Sequence, residues 1–190
     1  MIGGWPGRTV ALTATIYTFD VELADADRGV YETLELRLAR HPSETEEYLV
    51  TRLLAYCLAY APGIAFSKGL SDPEDPAIAV RDLTGALLVW IDIGAPDAAR
   101  LHRASKVAPR VAVYTHRDPA HLMRQWAGER IHRAAELELH SLDRALLAGL
   151  VARLKRRMAF SLSVTGGHLY VAIGAETLDG PVVRHALPEA

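Results

Sequence analysis

The 190-residue sequence is short of cysteine, of long apolar runs and of net charge, and each shortage excludes a class of protein. The single cysteine, Cys57, rules out an internal disulfide framework and a thiolate metal cluster. No stretch has the roughly 18 uninterrupted apolar residues that a membrane-spanning helix needs. The net charge of -2 argues against coating nucleic acid by bulk charge, but it permits a local basic groove. We expect a soluble, cytoplasmic protein with no membrane contact.

Common ligand motifs are absent as well. The sequence has no glycine-rich phosphate loop and no G-x-G-x-x-G after a predicted strand. Its eight histidines are scattered without metal-ligand spacing, so we expect no zinc site. Half of the residues are hydrophobic, which is enough to bury a core, and no repeat or low-complexity linker divides the chain. Residues 1–190 are therefore predicted to form a single domain.

In the first half of the chain, the spacing of the hydrophobic residues changes once, from every second residue to helical spacing. Apolar and charged residues alternate from Thr18 to Leu38, which predicts two half-buried strands joined by the polar turn Asp25 to Gly29. Behind His41-Pro42 the apolar residues recur at helical spacing. Ser43, with Glu46 three residues later, is typical of a helix N-cap, so we predict a helix over Ser43 to Tyr60.

The remaining elements predict a mixed sheet with flanking helices. A short strand, Ile64 to Phe66, is followed by a hairpin in which Ala77 to Arg81 and Ala86 to Ile93 flank the turn at Asp82 to Gly85. Further elements are a helix from Pro96 to about Ala108, a strand Val111 to Thr115, a helix near Pro119 to Ala127, a strand with Leu137 and Leu139, a helix near Ser141 to Arg157, and a C-terminal hairpin turning at Gly166-Gly167. The predicted fold class is α/β (α+β).

Two aspartates in the predicted hairpin suggest a metal site. If the turn is centred between Leu83 and Thr84, Asp92 lies opposite Asp75, with Cβ atoms about 5 Å apart. Carboxylates that close repel each other unless a cation lies between them, which favours a hard divalent ion. Asp92 carries more weight, because a charge in an apolar strand is costly unless it is paired. The alternative is that Asp75 belongs to a frayed acidic loop, Asp72 to Asp75, and never faces Asp92.

Other charged residues have both a functional and an ordinary interpretation. Glu44 and Glu47 begin the long predicted helix, where a carboxylate also favours the positive end of the helix dipole. Lys106 and Arg103 follow the Asp92 strand and could direct a cation at the carboxylates, although charges on an amphipathic helix are usually solvated. The basic residues Arg153, Lys155, Arg156 and Arg157 either end a helix or bind phosphate.

Four stretches resemble the bacterial YaeQ family, and together they span most of the chain. They are Thr13 to Gly29 (TATIYTFDVELADADRG), Leu38 to Tyr56 (LARHPSETEEYLVTRLLAY), Arg81 to Ser105 (RDLTGALLVWIDIGAPDAARLHRAS) and Val113 to His116 (VYTH). YaeQ proteins are similar in fold to PD-(D/E)XK nucleases. The resemblance implies a restriction-endonuclease-like core with additional N- and C-terminal β-hairpins. That core has a helix carrying a Glu, a strand starting with Asp, and a neighbouring strand with an acidic residue, any residue, then Lys.

The resemblance implies a site whose residues depart from the nuclease pattern. Glu47 or Glu44 takes the helix position, Asp75 the first strand and Asp92 the second, with Asp75, Asp92 and Glu47 as ligands of Mg²⁺ or Mn²⁺. Asp75-Pro76 reverses the nuclease order, and Gly94 stands where the catalytic Lys is expected. Because the Lys of this superfamily can move to the following helix, Lys106 is the candidate replacement.

Two functions follow from this interpretation. The first is phosphodiester hydrolysis at a variant metal-dependent nuclease site formed by Glu44, Glu47, Asp75, Asp92 and Lys106. The alternative is a non-catalytic regulatory protein that keeps the nuclease scaffold and binds nucleic acid or a protein partner.

Overall fold

The structure, a computed structural model, describes residues 13–67 and 74–187, which form one ten-stranded sheet with four α-helices and a short 3-10 helix. The strands are β1 (Thr15–Asp25), β2 (Val30–Arg40), β3 (Ile64–Phe66), β4 (Ile78–Arg81), β5 (Leu87–Ile93), β6 (Arg110–Thr115), β7 (Glu138–Leu142), β8 (Arg157–Thr165), β9 (His168–Ile173) and β10 (Glu176–His185). The α-helices are α1 (Glu46–Leu58), α2 (Ala98–Val107), α3 (Pro119–Trp126) and α4 (Arg144–Ala152), and the 3-10 helix is Ala134–Glu136.

The sheet is mixed, as predicted, with strand order β2-β1-β8-β9-β10-β7-β6-β5-β4-β3. Strands β5, β6 and β7 run parallel to one another, and β1 is parallel to β8, while the other neighbours are antiparallel. Strand β10 links the two halves, since its first part pairs with β9 and its second part with β7. Gly180 lies at this transition, where an added Cβ would come within 2.6 Å of the Asp143 Cβ atom.

Two hydrophobic cores cover opposite faces of the parallel strands. The larger core joins α1 and α4 to the β1, β2 and β8 strands and to one face of β5 and β6. The smaller core places α2 and α3 on the other face, against Trp90, Val111, Val113 and Leu139. Because side chains alternate along a strand, Asp92 shares the face of Trp90 and is directed toward α2.

The long helix α1 is confirmed, but its predicted N-cap is wrong. Thr45 caps the helix, with its hydroxyl accepting the Tyr48 N–H at 3.1 Å. Ser43 instead bonds the ring of His41 at 2.6 Å, so the chain turns once more before the helix begins. Cys57 is fully buried in this helix, as expected for a small apolar side chain. None of the helices in the two described ranges has the length and apolar character to span a membrane.

The hairpin β4–β5 is confirmed, but its predicted register is wrong by two residues. Ile78 pairs with Ile91 and Val80 with Val89, which puts Ala77 rather than Asp75 opposite Asp92. The turn holds one more residue than predicted, since the Asp82 N–H bonds to the Ala86 carbonyl. The second residue comes from a bulge, since Val80 pairs with Val89 and Arg81 with Leu87, which leaves Leu88 of β5 unpaired.

The helix predicted near Ser141 to Arg157 is shorter at both ends. Asp143 caps α4 by accepting the Leu146 N–H, because Ser141 and Leu142 still belong to strand β7. The helix ends at Ala152, and Arg157 already begins the alternating strand β8. The predicted turn at Gly166-Gly167 joins β8 to β9, and β10 is a third C-terminal strand beyond the predicted hairpin.

An ion pair fastens β6 to β7. Arg110 donates from Nε and Nη2 to the two carboxylate oxygens of Glu138, each at 2.8 Å, and His140 adds a contact at 3.2 Å. The bonds from Arg110 lower the pKa of Glu138 to about 2. Because the folded pKa lies below the unfolded value, this carboxylate stabilises the fold at neutral pH, and its contribution is lost as the pH falls through about 2.

We predict that Arg110→Ala lowers the free energy of unfolding by about 1 kcal/mol at pH 7, a modest value because half of the Arg110 side chain is exposed. The difference from the wild type should shrink as the pH approaches 2, because Glu138 then becomes protonated in both proteins. Urea unfolding across this pH range measures it, with Arg37→Ala on the exposed side of β2 as the control. A difference that stays constant with pH would contradict the assignment.

Candidate functional site

The candidate site lies at the carboxyl edge of the parallel strands β5, β6 and β7. Each strand is followed by a helix, so α2, α3 and α4 all begin at this edge. Their N-caps are Asp97, Asp118 and Asp143, and each accepts a backbone N–H of its own helix. The positive ends of three helix dipoles therefore meet the loops where α/β proteins commonly bind ligands.

Asp92 is buried at the end of β5, with only 3% of its surface exposed. Arg100, in the first turn of α2, donates hydrogen bonds to both carboxylate oxygens of Asp92. The Nε atom donates to Oδ2 at 2.8 Å and Nη2 donates to Oδ1 at 2.7 Å. This two-bond geometry is the strongest pairing that a guanidinium makes with a carboxylate. The buried charge that the sequence singled out is thus neutralised by the protein itself.

Arg100 also ties this pair to its surroundings. Its Nη2 atom donates to the backbone carbonyl of Asp75 at 2.7 Å, and its guanidinium lies 5.3 Å from the centre of the Trp90 ring. The prediction from sequence named Arg103 and Lys106 and missed Arg100. The position of Arg100 in the sequence could have identified it. A residue in the first turn of a helix that folds back on a strand lies nearest the end of that strand.

The remaining predicted strand acid, Asp75, does not pair with Asp92 in the sheet. Its side chain is exposed, and its backbone oxygen rather than its carboxylate is bonded to Arg100. The register of the hairpin accounts for this, because β4 begins only at Ile78. Asp72, at the other end of the predicted acidic loop, lies outside the described residues.

Glu44 is held by a second arginine. Its Oε1 atom lies 3.7 Å from Arg52 Nη1, and its Oε2 atom accepts the His41 N–H at 3.0 Å. Arg52 is buried, donates to the Ala39 carbonyl, and places its guanidinium 5.7 Å from the Tyr48 ring centre. Glu44 therefore fastens the start of α1 to the end of β2.

The sequence predicts that Glu47 is directed toward the Asp92 strand while Glu46 faces water, and the exposures of these two helix acids are the reverse. Glu47 is exposed, whereas Glu46 is half-buried. Glu47 nevertheless lies at the carboxyl edge. It lines a hollow of about 290 Å³ together with His116, Arg117, Asp118, Arg144, Leu147 and Ala148.

The hollow presents two exposed arginines. Arg117 follows β6 and Arg144 begins α4, and neither has an ion-pair partner within residues 13–67 and 74–187. His116 packs edge-on against Tyr48, with ring centres 6.5 Å apart. Burial, assisted by the charge of Arg117, lowers the pKa of His116, so its ring is neutral at pH 7.

Lys106 lies away from Asp92. It is exposed in the last turn of α2, where its charge acts on His102, and Arg103 is also exposed. Arg100 and Lys106 point in different directions, since residues six apart on a helix differ by about 120°. The structure therefore brings Arg100 rather than Lys106 to the strand acid.

Sequence similarity establishes the relatives of this chain. A family model described as YaeQ protein matches residues 10–180, the greater part of the sequence. The chain belongs to the YaeQ family. It is 32% identical to the uncharacterized protein YaeQ of Escherichia coli (strain K12) over 171 residues, which cover 90% of this chain and 94% of that protein. The YaeQ protein of Shigella flexneri, also uncharacterized, matches to the same extent.

Solved structures of YaeQ proteins share the fold. The crystal structure of the YaeQ protein from Xanthomonas axonopodis pv. citri superposes with a TM-score of 0.82 at 30% identity, covering 93% of this chain and all of that one. The Pseudomonas syringae YaeQ protein gives a TM-score of 0.80 at 29% identity, with coverage of 93% and 97%. The mixed α+β architecture is thus common to these YaeQ proteins.

Gly94 occupies a backbone conformation that suits glycine in this YaeQ chain. Its φ is +84°, and its N–H donates to the Tyr114 carbonyl at 2.9 Å. An added Cβ would lie 3.4 Å from His116 Cε1 and 3.7 Å from Tyr48 Cδ2. A lysine at this position would have to adopt a left-handed conformation, which side-chain-bearing residues rarely do.

The side chains as arranged do not fit a divalent metal ion. Both oxygens of Asp92 are bonded to Arg100, and Glu44 is bound to Arg52 and His41. Within the described part of the chain, no three His, Cys, Asp or Glu side chains are grouped so that they could hold a metal. A cation such as Mg²⁺ would have to displace Arg100 before it reached Asp92.

We predict that Arg100→Ala lowers the free energy of unfolding by about 3 kcal/mol, because it leaves the buried Asp92 carboxylate without its partner. The matched control is Arg103→Ala, an exposed change one turn further along α2, which should cost under about 0.5 kcal/mol. Urea unfolding measures both. The double variant Asp92→Leu with Arg100→Met should recover much of the stability, and a double variant less stable than Arg100→Ala would contradict this assignment.

We predict that Gly94→Lys, which introduces the residue type that the nuclease pattern has at this position, lowers the free energy of unfolding by about 1 to 2 kcal/mol through backbone strain. Gly94→Asn should cost less, since Asn tolerates a positive φ better than Lys does. Thermal unfolding of both variants measures the difference. Equal stability of Gly94→Lys and the wild type would show that the left-handed conformation is not maintained.

Proposed function

We propose that this YaeQ-family protein binds nucleic acid through its phosphates on a nuclease-like scaffold and does not cleave it rapidly. The observation that carries the proposal is the two-bond pairing of Arg100 with Asp92. In a metal-dependent nuclease the strand acid must offer its oxygens to the cation. Here a guanidinium occupies both oxygens.

The order of elements supports the nuclease-like scaffold. Glu44 and Glu47 lie just before and within the first turn of α1, β4 follows Asp75, and its neighbour β5 carries Asp92 and leads to Gly94. The helix α2 and the parallel strand β6 come next. The acids thus fall on, or shortly before, the elements that the family resemblance implies, although the pairing partners of Glu44 and Asp92 are arginines.

The hollow beside Glu47 supplies the surface proposed for phosphate. Arg117 and Arg144 are exposed there, and α3 and α4 direct their N-termini toward it. Guanidinium groups suit phosphate oxygens because they donate two parallel hydrogen bonds, and a helix N-terminus adds a favourable dipole. Glu47 and Asp118 lie in the same hollow and limit its net positive charge, which favours weak, salt-sensitive binding.

Hydrolysis remains the rival proposal. It assigns Asp75, Asp92 and Glu47 to Mg²⁺ or Mn²⁺, with Glu44 and Lys106 as further catalytic groups. It requires Arg100 to leave Asp92 and the Asp75 side chain to turn inward from its exposed position. Such a rearrangement would exchange the strongest ion pair of the site for the metal bonds.

The binding prediction is tested with fluorescently labelled single- and double-stranded DNA and RNA, by anisotropy over a range of salt concentrations. Replacing Arg117 and Arg144 together with alanine should weaken binding at least tenfold and reduce the salt slope by about 1 for each phosphate that these arginines bind. Arg37→Ala is the matched control, since Arg37 is an exposed arginine on the distant edge strand β2. It should leave both quantities unchanged.

A parallel assay with Mg²⁺ or Mn²⁺ distinguishes binding from cleavage. The proposal predicts bound, intact oligonucleotides. Rapid metal-dependent cleavage that Asp92→Asn abolishes would overturn it in favour of hydrolysis, and a further decrease in Lys106→Ala would place that lysine in the site. If none of the nucleic acids binds, the proposal fails and binding of a protein partner becomes the hypothesis to test.

A further inference from the structure

A second cavity lies at the opposite end of the parallel strands and shares no lining residue with the hollow of His116. It has a volume of about 260 Å³ and lies where the two halves of the sheet meet. Val89 and Arg110 line it from the beginnings of β5 and β6, while Asp25 and Val164 line it from the ends of β1 and β8. A ligand in this cavity would therefore not occupy the surface proposed for phosphate.

The walls of this cavity are mostly apolar. The side chains come from α1 and from strands of both sheet halves: Leu58, Val80, Val89, Ile91, Val164 and Val182. A concave apolar surface with a few converging polar groups is the usual form of a small-molecule site. The volume lies slightly below the common range for drug-sized ligands, so the cavity suits a small molecule.

Asp25 is the principal polar group in the cavity. It is a carboxylate with only 1% of its surface exposed. Its Oδ1 atom accepts the Arg28 N–H at 3.1 Å, whereas Oδ2 lies 3.6 Å from Arg28 Nη1, beyond normal hydrogen-bond distance. Arg28 directs its two terminal nitrogens to the carbonyls of Leu58 and Tyr60. Within the described residues, Asp25 Oδ2 therefore has no hydrogen-bond donor.

Tyr114 provides a second unused group. Its ring stacks on His140 with centres 4.7 Å apart, and no hydrogen bond to its hydroxyl is formed by the described part of the chain. Burial raises the pKa of Tyr114 to about 12, so the hydroxyl stays protonated and can both donate and accept. A ligand between Asp25 and Tyr114 would meet an acceptor on one side and a hydroxyl on the other.

The charges around the cavity leave one negative charge in excess. Asp25 and Asp27 contribute two carboxylates, against Arg28 and Arg110. The charge of Arg110 is already balanced by Glu138, which binds two of its nitrogens. Both arginines are thus committed to protein oxygens, which disfavours an anionic ligand. A cation would instead meet the buried Asp25 carboxylate, whose Oδ2 atom is near the charge of Arg28 but accepts no hydrogen bond from the described residues.

From this geometry we propose that the cavity binds a small organic ammonium compound. Its charged nitrogen donates to Asp25 Oδ2 and to the Tyr114 hydroxyl oxygen, and its apolar body packs against the valine-rich wall. The nitrogen supplies the hydrogen-bond donor that Asp25 Oδ2 lacks, and its positive charge strengthens that bond and offsets the net negative charge of the lining. Neither an alcohol nor a carboxylate of the same size offers both.

The test uses n-butylammonium, with 1-butanol and butyrate as neutral and anionic probes of matched size. Titration of the ¹⁵N-labelled protein should give saturable amide shifts around Asp25, Arg28, Ala112 and Tyr114 with butylammonium, and binding at least tenfold weaker with the other two probes. Shifts of equal size with butyrate, or no saturable shift around the cavity with butylammonium, would overturn the proposal.

Two variants and a control locate the binding group. Asp25→Asn keeps an oxygen for the Arg28 N–H and should weaken butylammonium binding at least tenfold, and Tyr114→Phe should weaken it severalfold. Asp20→Asn removes a carboxylate from the exposed side of the same strand and should leave binding unchanged. Amide spectra of each variant establish that it is folded. An Asp25→Asn protein that binds as tightly as the wild type would contradict the assignment.

Discussion

A buried aspartate at the end of an apolar strand constrains this part of the molecule. Asp92 lies beside Ile91 and Ile93, where an unpaired charge would cost several kcal/mol. Arg100 satisfies it, and that requires α2 to begin directly behind β5 and to fold back on it. The same arginine reaches the Asp75 carbonyl, so one guanidinium joins α2 to the end of β5 and to the segment before β4.

The acid that precedes α1 repeats this arrangement. Glu44 is paired with the buried Arg52, so the start of α1 is also fixed by a carboxylate and a guanidinium. By contrast, Arg117 and Arg144 are exposed around the neighbouring hollow. Internal pairs thus give the carboxyl edge its shape, while the outward-facing arginines are the groups that can meet an anion. This division underlies the proposal of a phosphate-binding rather than a metal-binding surface.

Local signals predicted most elements of the fold. Period-two alternation located β1 and β2, and helical spacing located α1, because the core-facing residues of each element are buried. The predicted register of β4 with β5 was wrong because the register depends on one additional turn residue and on the bulge at Leu88. No hydrophobic pattern specifies either of them. The predicted end of α4 was wrong because the basic run up to Arg157 was assigned to the helix. Arg157 instead begins the alternating strand β8.

The site was only partly predictable for a related reason. The cost of burying a charge identified Asp92 without any structure. Its partner depends on how α2 packs on the sheet, a long-range property, and the sequence alone pointed to Lys106 instead of Arg100. The cavity around Asp25 was also missed, because its lining comes from seven strands and the end of α1 that are distant in sequence.

The central claim, that Arg100 and not a metal ion is the partner of Asp92, can be tested directly by crystallography in the presence of Mn²⁺. We expect the anomalous map to show no ion within coordination distance, about 2.0 to 2.6 Å, of the Asp92 oxygens, and Arg100 to remain bonded to both of them. An anomalous peak bound to Asp92, with Arg100 displaced and Glu47 or Asp75 completing the coordination, would contradict the account.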